Sequence, residues 1–245
     1  VLHDLRVSFN GQGKTVNAVN GVDLTVKRGE VVALIGESGS GKPTLARQVM
    51  ALERPTSGSV SLLGQDLHGL SAIDLRASRK HFQMVFQDPS LNPRQRAGDM
   101  LNEVLDTHRL HVGVQRQARI EALLALVGLK AEHATRFPHE FSGGQKQRLG
   151  IARALATESK FIVADEPLSA LDMSIQAQIV NLLIRLKSQL GLTLLFISHD
   201  LDVVEYLCDH VVVMYAGRIV ESGAPADVLG NPSHSRTREF LAKVL

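Results

Sequence analysis

An apolar run, Val31-Val32-Ala33-Leu34-Ile35, passes without interruption into Gly36-Glu37-Ser38-Gly39-Ser40-Gly41-Lys42, after which Thr44-Leu45-Ala46 opens a helical spacing. A short unbroken apolar strand of this kind suits the interior of a parallel sheet, and parallel neighbours in turn require crossover helices. The glycines let the backbone curl so that successive N–H groups face an anion. The following helix adds the positive end of its dipole, and Lys42 can reach the outer phosphates. Gly36 to Thr44 therefore reads as a phosphate-binding loop. One position departs from that pattern. The residue directly after the lysine is normally Ser or Thr, whose hydroxyl meets Mg²⁺, and here it is Pro43.

The rest of the chain is consistent with a sheet of this kind. Leu5 to Phe9 and Val16 to Val26 alternate and carry β-branched residues, with turn signals at Gly11-Gln12-Gly13 and Lys27-Arg28-Gly29, so a short antiparallel sheet precedes the loop. Phe9 lies on it; an isolated aromatic in a strand ordinarily belongs to a core, and on a nucleotide reading it can stack on adenine. Ser59 to Leu63 and Phe82 to Phe86 read as further strands, with a short polar helix over Asp74 to Lys80. A Pro-rich loop, Gln87-Asp88-Pro89-Ser90-Leu91-Asn92-Pro93, follows the second of these. From about Asp99 to Ala156 the spacing is helical throughout, and strands resume at Phe161 to Ala164 and Thr193 to Ile197. A hairpin is expected at Val211 to Val220 around Ala216-Gly217, and a long amphipathic helix over Ile175 to Leu190.

Composition removes several classes of function. With 245 residues, 44% hydrophobic and 21% charged, the chain can bury a large core. A net charge of +2 with interspersed signs, and only 4% aromatic residues, exclude the basic stripe and stacking platforms of a nucleic-acid binder. The lone Cys208 allows no internal disulfide and fits a reducing compartment. No leader is expected from the opening residues. Its longest apolar runs are too short to span a bilayer, so any membrane span is expected from another subunit.

Two further stretches carry chemistry. Phe161-Ile162-Val163-Ala164 ends abruptly in Asp165-Glu166; at the C-terminal end of a buried strand Asp165 can reach Mg²⁺ and Glu166 can address a water. Upstream, Phe141-Ser142-Gly143-Gly144-Gln145-Lys146-Gln147-Arg148 opens a helix with a serine and two glycines, a second anion cradle. This run resembles the L-S-G-G-Q signature of the nucleotide-binding subunits of ATP-binding cassette (ABC) transporters, with Phe141 in the leucine position, and the resemblance extends over essentially the whole chain in order.

The resemblance implies an α/β P-loop NTPase (RecA-like) fold: a mostly parallel sheet core with an N-terminal antiparallel β subdomain and an inserted all-helical subdomain. It divides the single domain 1–245 into a core at about 1–93 and 157–245 and a helical part at about 94–156. Roles follow position by position. Gly36, Glu37, Ser38, Gly39, Ser40, Gly41, Lys42, Pro43 and Thr44 hold the phosphates of ATP, Phe9 meets the base, and Gln87 and Asp165 hold Mg²⁺. Glu166 is expected to activate water, with Gln87 and His199 (the switch histidine) beside the reacting phosphate. Ser142, Gly143, Gly144 and Gln145 reach the nucleotide of a second copy, and Asp172 in Ser169-Ala170-Leu171-Asp172 crosses the dimer.

Expected partners are a second ATP-binding subunit (homodimer or heterodimer), transmembrane permease subunits, and indirectly a substrate-binding protein, at the cytoplasmic face of the inner membrane. Val85-Phe86-Gln87-Asp88-Pro89 and the run EFSGGQKQRLGIAR are most similar to importers of oligopeptides, dipeptides and nickel, whereas the tail from His234 to Leu241 is closer to polar amino-acid importers. The alternative within the family is a hydrolysis-impaired regulatory or structural subunit, because of Pro43. Soluble cassette proteins of DNA repair or translation carry tandem cassettes, coiled coils or zinc cysteines, none of which occurs here.

Overall fold

The computed structural model describes residues 1–11 and 14–244, so Gln12 and Gly13 of the first expected turn lie outside the described residues. The strands, in chain order, are β1 (Leu2–Gly11), β2 (Lys14–Leu24), β3 (Val31–Ile35), β4 (Ser57–Leu62), β5 (Gln65–Asp66), β6 (Phe82–Val85), β7 (Phe161–Asp165), β8 (Thr193–Ile197), β9 (His210–Tyr215) and β10 (Arg218–Gly223). The helices are α1 (Lys42–Val49), α2 (Ala72–Ser78), α3 (Ala97–Thr107), α4 (Val114–Leu126), α5 (Gly143–Leu155), α6 (Met173–Leu190), α7 (Leu201–Leu207), α8 (Pro225–Gly230) and α9 (Ser235–Val244). Two compact units emerge, one of Val1–Leu75 with Thr193 onward, the other Arg76–Leu192.

In the first unit, β1 pairs antiparallel with β2 and with β4, and β5 extends that sheet. A second sheet runs β10-β9-β3-β8, with β3 parallel to both β8 and β9 and β10 an antiparallel edge. Every residue of β3 is fully buried, as its unbroken apolar run requires. The registers Leu34↔Ile197 and Ile35↔Val213 bring the ends of β3, β8 and β9 to one edge. The β9–β10 turn is the expected one: Ala216 (φ 47°) and Gly217 (φ 77°) are both left-handed, the geometry of a two-residue type I′ hairpin.

The tail of this unit is tied down by one carboxylate. Glu221 on β10 accepts from the Ser233 N–H and Oγ (both 2.7 Å) and from the His234 N–H (3.1 Å). Burial by itself pushes this carboxyl up. The Thr237 hydroxyl lying beside it, short of hydrogen-bond geometry, and the three donors outweigh that and hold it down to about 2. A folded-state value below the unfolded one means stability that is full above the ordinary carboxyl range and drains away as pH falls through it towards 2. Glu221→Gln is therefore expected to cost about 1–2 kcal/mol at pH 7, allowing for solvent screening, with the gap to wild type closing between about pH 5 and pH 2.5. Urea unfolding of both proteins across that range checks it; a gap that is constant with pH would show that charge at Glu221 is not what matters.

In the second unit β6 and β7 are parallel, in register from Phe82↔Phe161 to Val85↔Ala164. Between Ala97 and Leu155 the described residues form α3, α4 and α5 with 3-10 turns at Ala131–Thr135 and Pro138–Glu140. The breaks follow from Gly113, Gly128 and Pro138, which punctuate the apolar spacing. Two arginines finish α4: Arg148 donates to the Val127 carbonyl (2.7 Å) and Arg185 to that of Leu126 (2.8 Å), satisfying helix-end acceptors from α5 and α6. Several strand ends also differ from the sequence expectation. β2 stops at Leu24, β6 at Val85, and Leu63 is a left-handed, exposed turn residue rather than the end of β4.

Candidate functional site

The loop after β3 is built so that only glycine fits at its two ends. A Cβ on Gly36 (φ 142°) would lie 2.2 Å from the Met214 carbonyl oxygen, and one on Gly41 (φ 105°) 2.2 Å from that of Ala18. The β9–β10 hairpin also supports the loop from beneath, since the Gly217 N–H donates to the Ser40 carbonyl (2.9 Å). Lys42 is buried, and its ammonium donates to the Gly36 (2.7 Å) and Glu37 (2.9 Å) carbonyls and to Ser40 Oγ (3.4 Å). These bonds hold a cation in the curl of the loop.

Pro43 stands exposed in the first turn of α1, and Gly41 is the N-cap. Proline is tolerated there because its missing N–H has no partner within the helix, so α1 forms normally. Ser38 and Gly39 are exposed at the loop tip, and Thr44 is half-buried. Glu37, by contrast, is paired with Lys243 of α9 (2.5 Å). In the same unit His199 is exposed just past β8, at the edge where the phosphate loop follows β3. Phe9 is 48% exposed, which removes the core reading of this aromatic and leaves its ring available.

In the other unit, the parallel register of β6 and β7 sets the exposed Gln87 loop beside Asp165 and Glu166, both half-buried. Glu166 has a left-handed backbone (φ 46°) although Pro167 follows it, a combination that costs about 1–3 kcal/mol. It is held by its own carbonyl, which accepts from the Ser169 Oγ (3.1 Å) and N–H (3.4 Å).

Ser142 and Gln145 form a capping box on α5: Gln145 N–H donates to Ser142 Oγ (3.3 Å) and Ser142 N–H to Gln145 Oε1 (3.0 Å). S-x-x-Q spacing was a sequence signal for this reciprocal cap. Phe141 is buried beneath it, edge-on to the buried His133 (5.6 Å). His133 Nδ1 accepts from the Lys130 N–H, so the ring is neutral with its proton on Nε2; burial pulls its pKa down, as do Arg136 and Lys130 against Glu132. Asp172 is exposed and caps α6 by accepting from the Ile175 N–H (3.0 Å).

Sequence reasoning missed the residues that carry the Gln87 loop. Gln147 donates to the Phe86 carbonyl (3.2 Å), and Arg153 to those of Pro89 (2.8 Å) and Ser90 (3.4 Å). Between them, a Cβ on Gly150 would lie 2.8 Å from Pro89 Cβ. Their spacing of three on one face of α5 was visible, but the loop they hold is distant in sequence.

Residues 19–169 match the ABC transporter family model, and the chain is 48% identical over 238 residues to a putative peptide import ATP-binding protein of Brucella ovis, covering 96% of this chain and 75% of that protein. The chain belongs to the ABC transporter family. This ABC subunit is also 49% identical over 235 residues to the oligopeptide transport ATP-binding protein OppF of Bacillus subtilis, covering 94% of this chain and 77% of the other. A solved dimeric ATP-binding cassette in a post-hydrolysis state, bound to ADP and Pi, superposes with TM-score 0.82 at 29% identity over 91% of this chain and 97% of its own. Such kinship makes it the ATP-binding, ATP-hydrolysing subunit of an ABC importer, with the α/β P-loop fold expected from its motifs. The glycine-lined cradle with its buried lysine fits a nucleotide's phosphates. Among the described residues no helix is long and apolar enough to cross a membrane.

Proposed function

We propose that this ABC subunit drives import of peptides through separate permease subunits, working as a head-to-tail dimer at the cytoplasmic face of the membrane. The observation that carries the nucleotide chemistry is the phosphate loop, where Gly36 and Gly41 admit no side chain and Lys42 is buried with its ammonium turned into the curl. Kinship with proteins named for peptide and oligopeptide import supports the cargo class.

In this reading Lys42 and the loop N–H groups from Gly36 to Lys42 and of Thr44, but not Pro43, bind the phosphates, and the exposed Phe9 ring stacks on the base. Asp165 and Gln87 supply oxygens to Mg²⁺, which when bound offsets charge on the outer phosphates; Pro43 adds no ligand. Glu166 accepts the proton of the attacking water, and His199 orients the reacting phosphate. Ser142 to Gln145 and Asp172 complete the site of the second copy, because a capped helix N-terminus is an anion site. The core is 1–93 with 157–245, the helical part 94–156, and the loop held by Gln147 and Arg153 faces the permease.

In membranes carrying the permease and its binding protein, ATPase activity is expected to rise with added peptide. Lys42→Ala is expected to weaken fluorescent-ATP binding about ten- to hundredfold and remove that response. Stimulation by nickel or an amino acid in place of peptide would overturn the cargo class while leaving the ATPase reading intact.

A further inference from the structure

We infer that Ile175 is a positioning residue, and that Gly144 is held to glycine by packing against it rather than by the ligand alone. A Cβ built on Gly144 would lie 2.4 Å from Ile175 Cγ2 and within 4 Å of two more Ile175 atoms, far inside van der Waals contact. The obstructing methyl is branched directly from Cβ and cannot swing away as the end of a long side chain does. One residue earlier, a Cβ on Gly143 would only touch Leu171 at 3.4 Å. Gly144 is buried and Gly143 exposed, so the two glycines of the run serve different ends.

The contact joins two helix starts. Gly144 lies in the first turn of α5, capped by Ser142, and Ile175 in the first turn of α6, capped by Asp172. One turn further on, Arg148 donates to Gln178 Oε1 (3.2 Å), linking the same two helices. Gln176 fastens the approach to α6 by donating to the Leu168 and Leu171 carbonyls (both 3.1 Å). The segments Ser142–Gln145 and Ser169–Asp172 are therefore presented as one rigid piece whose spacing is set by Ile175 against a bare Cα. This rests on the dimer reading above, in which both segments meet the second copy.

Alanine normally stabilises a helix relative to glycine, so a loss at Gly144 is diagnostic of the clash. In the Glu166→Gln protein, Gly144→Ala is expected to lower the melting temperature by about 4–8 °C and to raise the protein concentration needed for ATP-dependent dimerisation about tenfold. In the Ile175→Ala background the same Gly144→Ala change is expected to be neutral or stabilising in melting, and to cost clearly less in dimerisation than it does with Ile175 in place. If the double variant melts no higher than Gly144→Ala, the packing relation is wrong. If melting recovers but dimerisation does not, the ligand demands the glycine and Ile175 positions nothing. A Glu166→Gln parent that never dimerises would overturn the dimer reading instead, while the melting comparison still decides whether Ile175 is what excludes a side chain at Gly144.

Discussion

Pro43→Ser is expected to raise the steady-state ATPase rate about ten- to hundredfold at limiting Mg²⁺, with little change in melting temperature in the absence of nucleotide. The proline withholds two contacts at once. It has no hydroxyl for the metal, and no backbone N–H for the phosphates. Each charge-assisted contact contributes about 1.5–3 kcal/mol, which sets the size of the effect, and misplacement of the metal adds to it in turnover. Thr44 cannot stand in, because one step along a helix turns a side chain by about 100°. The fold is indifferent to the change: α1 starts at Lys42 with Gly41 as N-cap, and proline is at home in that first turn. An Mg²⁺ titration of ATPase activity on both proteins measures the effect. Equal rates at low Mg²⁺ would mean the hydroxyl has no part in this loop's chemistry, and a silent wild type restored by serine would make the chain a hydrolysis-impaired subunit.

Glu166→Gln is expected to lower turnover by about 10²–10⁴-fold while ATP affinity stays within about twofold, the pattern of a group that acts on the attacking water and not on the bound nucleotide. The amide keeps the side chain's shape and cannot take a proton. Its strained backbone is held through the carbonyl accepting from Ser169, which the substitution leaves untouched, so folding is expected to survive. With hydrolysis blocked, ATP and Mg²⁺ are expected to convert the monomer to a dimer in light scattering. Glu132→Gln is the control, since Glu132 pairs with Lys130 and Arg136 at the surface. A comparable loss from Glu132→Gln, or a Glu166→Gln protein that binds ATP yet stays monomeric at high concentration, would count against the assignment.

Much of this protein was determined locally and so was legible in the residues alone. The apolar run of β3, the loop from Gly36 to Lys42, the I′ turn at Ala216-Gly217 and the caps at Ser142 and Asp172 depend on neighbours within a few positions, which is the range over which periodicity, turn chemistry and capping act. The expected parallel sheet followed from those strands alternating with helices. What tertiary structure decided is what each residue meets from far along the chain. Gly36 is enforced by the Met214 carbonyl, Gly41 by that of Ala18, Gly144 by Ile175 and Gly150 by Pro89. No window of sequence contains either pair member's distance from the other. Phe9 was left between core and surface because a strand's faces are indistinguishable until its sheet is packed, and the left-handed turn at Glu166 was hidden because backbone strain is stabilised by surroundings and opposed by local preference. Local rules thus established which chemistry the chain carries, and long-range sterics established which atoms can approach it.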